Sequence, residues 1–140
     1  MKKYIYLEHT ADACFKAYGK TLEEAFSNSA IATFNIIVNT KKVKSKQKIE
    51  IKVKSKRLIS LLYDFLDELL FRMDKDRFVL SKIENIKIKE TKTGFELTSV
   101  LSGDNAKNYD VTAEIKSVTY NDMHITQEKG VYEIQVVVDL

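Results

Sequence analysis

The sequence predicts an α+β domain, with two helices packed on a largely antiparallel or mixed β-sheet, on the strength of three observations. Two stretches, 21–38 and 56–73, repeat apolar residues at spacings of three and four. Six or more shorter stretches alternate apolar and polar residues with the period of two that a half-buried strand requires. Turn-like segments such as "TKTG" (91–94) and "SGDNAKN" (102–108) join strands directly, which favours hairpins over crossover units.

Each helix has its own signature. In "TLEEAFSNSAIATFNIIV" (21–38), Leu22, Ala25, Phe26, Ala30, Phe34 and Ile37 recur on one side. Thr21 and Glu24 have capping-box spacing, so the hydroxyl can accept from the Glu24 amide while the carboxylate reaches back. In "KRLISLLYDFLDELLFRM" (56–73), Leu58, Leu61, Leu62, Phe65, Leu66, Leu69 and Leu70 form a broad apolar stripe, with Asp64, Asp67 and Glu68 on the other side and Ser55 as the expected N-cap. A stripe that wide buries against a sheet.

The strands follow in order. Tyr4, Ile5, Tyr6 and Leu7 read as a first strand and "ACFKAYG" (13–19) as a short second one. "KIEIKVK" (48–54) sets Ile49, Ile51 and Val53 against lysines and a glutamate, and "IENIKIKE" (83–90) is similar. "GFELTSVLS" (94–102) has Phe95, Leu97 and Leu101 on one face. "YDVTAEIKSVTY" (109–120) is expected to put Val111, Ala113 and Ile115 on one face of a strand, and "VYEIQVVVDL" (131–140) is the last strand.

A chain of 140 residues, 44% apolar and 31% charged, matches an ordinary globular composition and the size of one domain, 1–140. The net charge of +3 is too balanced to imply strong nucleic-acid binding on overall charge. One cysteine, Cys14, precludes an internal disulfide and fits a reducing, cytoplasmic setting. The basic start reaches Glu8 and His9 after four apolar residues, unlike a signal peptide, and no apolar run is long enough for a membrane span. Glycine occurs only at 19, 94, 103 and 130, so neither GxxxxGK[ST] nor GxGxxG is present and nucleotide triphosphate chemistry carried out alone is not expected.

Three places carry polar residues that a core does not need. Glu8, His9 and Asp12 cluster in "LEHTAD" (7–12), read either as a site or as a solvated Asx-type turn. At the other end, Asp139 and the carboxylate of Leu140 are adjacent anions after an apolar strand. If the last strand pairs beside the first, they approach Asp12, and three hard oxygen donors suit Ca²⁺ or, less well, Mg²⁺; the bland alternative is a frayed terminus. Lys116, Tyr120, Asn121, Asp122 and His124 gather at an expected strand end and read as a partner-facing cluster or as a wet strand face. With two histidines and one cysteine, a His₃ zinc centre is excluded, and pairing Cys14 with His9 as a nucleophile has no geometric support in the sequence.

Taken together, "LEHTADACFKAYGKTLEEAFSNSA" (7–30), "LISLLYDFLDELLF" (58–71) and "EIKSVTYNDM…VYEIQVVVDL" (114–140) resemble the archease family over essentially the whole chain. The resemblance implies a small α+β accessory protein of the RtcB-type RNA ligase. That enzyme is metal- and GTP-dependent, guanylylates its own histidine and joins tRNA halves in splicing and RNA repair; the accessory protein promotes guanylylation and multiple turnover without being the ligase. It further implies a divalent cation, typically Ca²⁺, held by Asp12, Asp139 and Leu140, and a functional lysine at Lys116; His9, Tyr120 and Asp122 are expected to face the ligase beside that lysine. The tRNA halves are reached through the ligase, and no membrane partner is expected. The sequence departs from the family pattern at Ala13, where glycine is common, at Asn121, where histidine is usual, and in having no histidine in 104–113. Two other classes compete: a stand-alone metal-dependent hydrolase using Asp12, Glu8 and His9, and a general RNA-processing chaperone.

Overall fold

The computed structural model describes residues 1–8 and 12–140. Among them the order is β1 (Tyr4–Leu7), β2 (Asp12–Gly19), α1 (Leu22–Ile37), β3 (Gln47–Ser55), α2 (Leu58–Asp76), β4 (Phe78–Thr91), β5 (Gly94–Asn105), β6 (Ser117–Glu128) and β7 (Val131–Asp139). Single 3-10 turns lie at Thr40–Lys42 and Ala106–Asn108. The α+β class stands, but the strands form two sheets rather than one, ordered β1-β2-β7-β6 and β3-β5-β4. The pairings are antiparallel throughout.

Both helices contact strands of both sheets, so they lie between them. For α1 this explains a burial pattern that no single stripe would give: Asn28, Ser29 and Ala30, then Ala32, Thr33 and Phe34, are all buried. The two buried hydroxyls are satisfied within the helix, Ser29 donating to the Ala25 carbonyl and Thr33 to the Ser29 carbonyl, so their burial leaves no orphan polar group. Helix α2 buries the expected stripe, Leu61, Leu62, Phe65, Leu66, Leu69, Leu70 and Met73. The rings of Phe26 and Phe65 join the helices at 6.0 Å, and Phe34 meets Phe78 of β4 edge-on at 6.3 Å. Each fully buried side chain of this size contributes about 1.5–3 kcal/mol by leaving water.

The helix starts agree with the sequence in part. Thr21 caps α1 and its hydroxyl accepts from the Glu24 amide at 3.1 Å. The Glu24 carboxylate reaches back to the Lys20 amide at 3.3 Å, one residue earlier than a standard box. Helix α2 begins after Arg57 with no side-chain cap. Ser55, expected as its cap, is the last residue of β3, and its hydroxyl pairs with that of Ser60.

Two strand expectations fail. Residues 109–116 alternate like a strand but form none; the Thr112 amide donates to the Ile37 carbonyl at the end of α1, and Val111 stays 41% exposed. Conversely, 102–105 were expected to turn and instead extend β5. Gly103 there faces the Val79 backbone so closely that a Cβ would stand 2.0 Å from the Val79 oxygen, so this glycine permits a close approach rather than a turn. Strand β6 also carries an interruption the alternation does not show: its pairing to β7 breaks between Thr119 and His124, and Asp122 inside that bulge has φ 52°.

Buried Asp104 anchors the segment after β5. It accepts from the Tyr109 hydroxyl at 2.8 Å, the Asn105 amide at 2.7 Å and the Asn108 side chain at 3.4 Å. The Tyr109 hydroxyl in turn accepts from the Lys44 amide at 2.9 Å. The Tyr109 hydrogen bond above all, then that from Asn105, holds the Asp104 carboxyl below its ordinary range. Because the folded value is depressed, the stabilisation is complete above the ordinary carboxylate range and is lost as pH falls through the folded value. The melting-temperature gap between wild type and Asp104→Ala should therefore be widest near pH 6 and narrow toward pH 3; a gap independent of pH would contradict this assignment.

Candidate functional site

The site follows from one register. Strands β2 and β7 pair from Asp12↔Asp139 to Gly19↔Tyr132. Core-facing Ala13, Phe15 and Ala17 stand opposite Val138, Val136 and Ile134 and pack into the hydrophobic centre. Alternation then sends Asp12 and Asp139 to the other face, side by side. Directly opposed residues in an antiparallel pair hold their Cβ atoms about 4.5–5.5 Å apart. Strand β6 extends the row, with Ser117 opposite Asp139, and the Lys116 amide donates to the Asp139 carbonyl at 2.8 Å. Leu140 follows directly and is 39% exposed.

The arrangement brings together Asp12, Asp139, Leu140 and the backbone of Lys116, whose residue is exposed. Two opposed carboxylates repel, and in a partly buried place that repulsion favours a bound cation or donors beside them. Both aspartates are half-buried. Among the described residues no group of three or more His, Cys, Asp or Glu side chains is placed to hold a metal. Carboxylate oxygens of this kind fit a hard divalent cation. His9 lies outside the described residues.

The remaining residues named from the sequence sit elsewhere. Tyr120 faces α2, its ring stacked on Tyr63 at 4.3 Å and 10°, and remains 52% exposed. Burial foremost, then Asp64, pushes the Tyr120 hydroxyl up, with Arg57 opposing. Asp122 lies in the bulge, where its carbonyl accepts from the Gln135 side chain at 2.9 Å, and its charge reaches Cys14. His124 bonds Glu133 at 2.9 Å, and Lys16 joins that glutamate at 3.6 Å. Tyr120 and the aspartate pair therefore belong to different faces of the same sheet end.

The profile of the Archease protein family matches residues 4–140. The chain belongs to the archease family. It is 41% identical to the archease of Methanosarcina mazei, covering 99% of this chain and 97% of that one. With the archease of Methanothermobacter thermautotrophicus it shares 38% identity, each chain covered in full. The solution structure of protein 1598 from Methanobacterium thermoautotrophicum superposes with a TM-score of 0.86 at 36% identity over all of both chains. The crystal structure of an archease from Thermotoga maritima, at 18% identity and a TM-score of 0.64 over 96% of this chain and 94% of that one, shares the fold.

Around this archease-family site the sequence reading missed Ser117, which completes the row, and Tyr63, on which Tyr120 stacks. A signal existed for Tyr63: it breaks the leucine stripe of α2 with an amphipathic ring at a half-buried position. No helix among the described residues is long and apolar enough to cross a membrane. Cys14 is no candidate nucleophile. It is 4% exposed, opposite fully buried Val137, and burial foremost, with Asp122 adding and Lys16 opposing, pushes its thiol above the usual range. In the native protein at pH 8 its alkylation by iodoacetamide should be at least about tenfold slower than in the urea-unfolded chain, read by mass spectrometry; equal rates would contradict the buried assignment.

Proposed function

We propose that this archease-family protein is a cytoplasmic accessory activator of an RtcB-type RNA ligase in tRNA splicing and RNA repair. It promotes ligase guanylylation and multiple turnover and performs no ligation itself. The observation that carries this reading is the β2–β7 register, which sets Asp12 against Asp139 with Leu140 and Lys116 alongside. These are the positions the family resemblance assigns to a cation and a functional lysine. The missing phosphate-binding loops agree with a helper rather than an enzyme that uses GTP alone.

Asp12, Asp139 and the Leu140 carboxylate would hold Ca²⁺ or another divalent cation. A cation there supplies charge compensation for clustered carboxylates and a positive centre at the surface offered to the ligase. Lys116, with Asp122 and His9, faces the ligase on this reading, and Tyr120 adds an exposed ring held by its stack on Tyr63. Positioned charges of this kind act on phosphoryl-type transfer, where electrostatic preorganisation dominates the barrier. Strand β6 is an edge of its sheet, so the partner meets this end without displacing another strand of the chain.

Reconstituted multiple-turnover ligation tests the assignment. Wild type should raise turnover, while Asp12→Ala, Asp139→Ala and Lys116→Ala should fall at least about tenfold toward the unassisted rate, a loss of about 1.4 kcal/mol of transition-state stabilisation or more. A ligase that cycles equally well with all four would sink the proposal. Metal binding has a separate readout. Ca²⁺ at about 100 times its dissociation constant should stabilise the wild type by about 2.7 kcal/mol in thermal unfolding and leave Asp12→Asn/Asp139→Asn unshifted; an equal shift in both proteins would remove the cation from this place.

A further inference from the structure

The outward face of the three-stranded sheet carries a charge pattern that the site above does not use. Register places Lys52, Thr98 and Lys87 in one row across β3, β5 and β4. Lys54, Glu96 and Lys89 form the next, and Lys48, Ser102 and Lys82 another. All six lysines are exposed, whereas their neighbours Ile49, Ile51, Val53, Ile86 and Ile88 turn inward. Against them stand Glu50, Glu84 and Glu96, leaving an excess of three, equal to the net charge of the whole chain. Glu96 alone is approached by three ammonium groups, Lys54 at 3.6 Å, Lys52 at 3.8 Å and Lys89 at 3.9 Å. One carboxylate cannot neutralise three cations. The exposed lysines Lys44 and Lys46 lead into the start of β3, while Lys41 and Lys42 line a cavity with Tyr4 and Asn35 away from these rows.

We propose that this face docks an RNA backbone through its phosphates, without reading base sequence. Charge complementarity selects a polyanion, and the residue types narrow it further. With Ser102 fully buried and donating to the Ser45 hydroxyl, the rows contain no aromatic ring on which a base could stack and no arginine fork, only lysine point charges and the hydroxyl of Thr98. That is equipment for phosphates rather than base edges. An acidic protein fits less well, because protein interfaces depend on apolar or aromatic anchors, these three rows hold none, and the row between them, Glu50, Val100 and Asn85, adds only Val100. Solubility alone does not account for the pattern, since mixed charges serve it equally. This contact is independent of the ligase assignment: the protein should bind RNA by itself.

Fluorescence anisotropy with the full chain and an unstructured 20-nucleotide RNA, about the length of a short oligonucleotide probe, tests it. If the four lysines Lys52, Lys54, Lys87 and Lys89 of two adjacent rows neutralise four phosphates, raising salt from about 50 to 200 mM should weaken binding about 50-fold. Lys52→Gln/Lys87→Gln should bind more weakly at low salt, and the same salt step should weaken it only about 7-fold. Lys20→Gln, on another surface, should behave as wild type, and circular dichroism should show all three proteins folded alike. Two RNAs of unrelated sequence should bind within a few-fold of each other. No binding at 50 mM salt, an unchanged salt response in the double variant, or strong discrimination between the two RNAs would overturn the proposal. A double variant that binds RNA as wild type does but fails to stimulate the ligase would also overturn it, in favour of an acidic protein surface.

Discussion

The pairing register of β2 with β7 is the constraint on which the site depends. Strand side chains alternate with a period of two, so a slip of one residue would turn Phe15 and Val136 toward water and drive Asp12 and Asp139 toward the core. Phe15, Ala17, Ile134, Val136 and Val138 are all fully buried, and each large one forfeits about 1.5–3 kcal/mol if exposed. The hydrophobic centre thus holds two carboxylates against each other at the sheet's other face. The site's geometry is inherited from packing, and the repulsion it creates gives a cation a reason to bind.

Placing both helices between the sheets leaves two outward faces with different chemistry. The outward face of the four-stranded sheet ends in the Asp12–Asp139 row. The three-stranded sheet presents rows of lysine. One protein of this size therefore presents a row of opposed carboxylates on one sheet and a cationic surface on the other.

Much of this was legible in the sequence, for identifiable reasons. Both helices were visible because their apolar spacing runs for several turns, and Thr21 with Glu24 marked a start within one residue. The division into two sheets was not visible, since pairing partners such as β2 and β7 lie at opposite ends of the chain and alternation carries no pairing information. Residues 109–116 misled because Val111, Ala113 and Ile115 alternate as a strand does, while the Thr112 amide is satisfied by the end of α1 instead of a ladder. Asp139 was legible as an anion that would approach Asp12 if the last strand lay beside the start of the chain, and its pairing with β2 does set the two opposite each other. The Asp122 bulge was not, although an Asn-Asp pair tolerates the left-handed backbone such a bulge requires. The family likeness, carried by "HTAD" and "VVVDL", pointed to the same residues that the register later set side by side.

The central claim is that the carboxylates brought together by the β2–β7 register form one cation site. Diffraction from crystals grown with CaCl₂, phased to locate calcium by its anomalous signal, tests it most directly. The account predicts a peak with oxygens of Asp12 and Asp139 at about 2.3–2.6 Å. Calcium found only elsewhere, or Asp12 displaced from its place opposite Asp139, would contradict it.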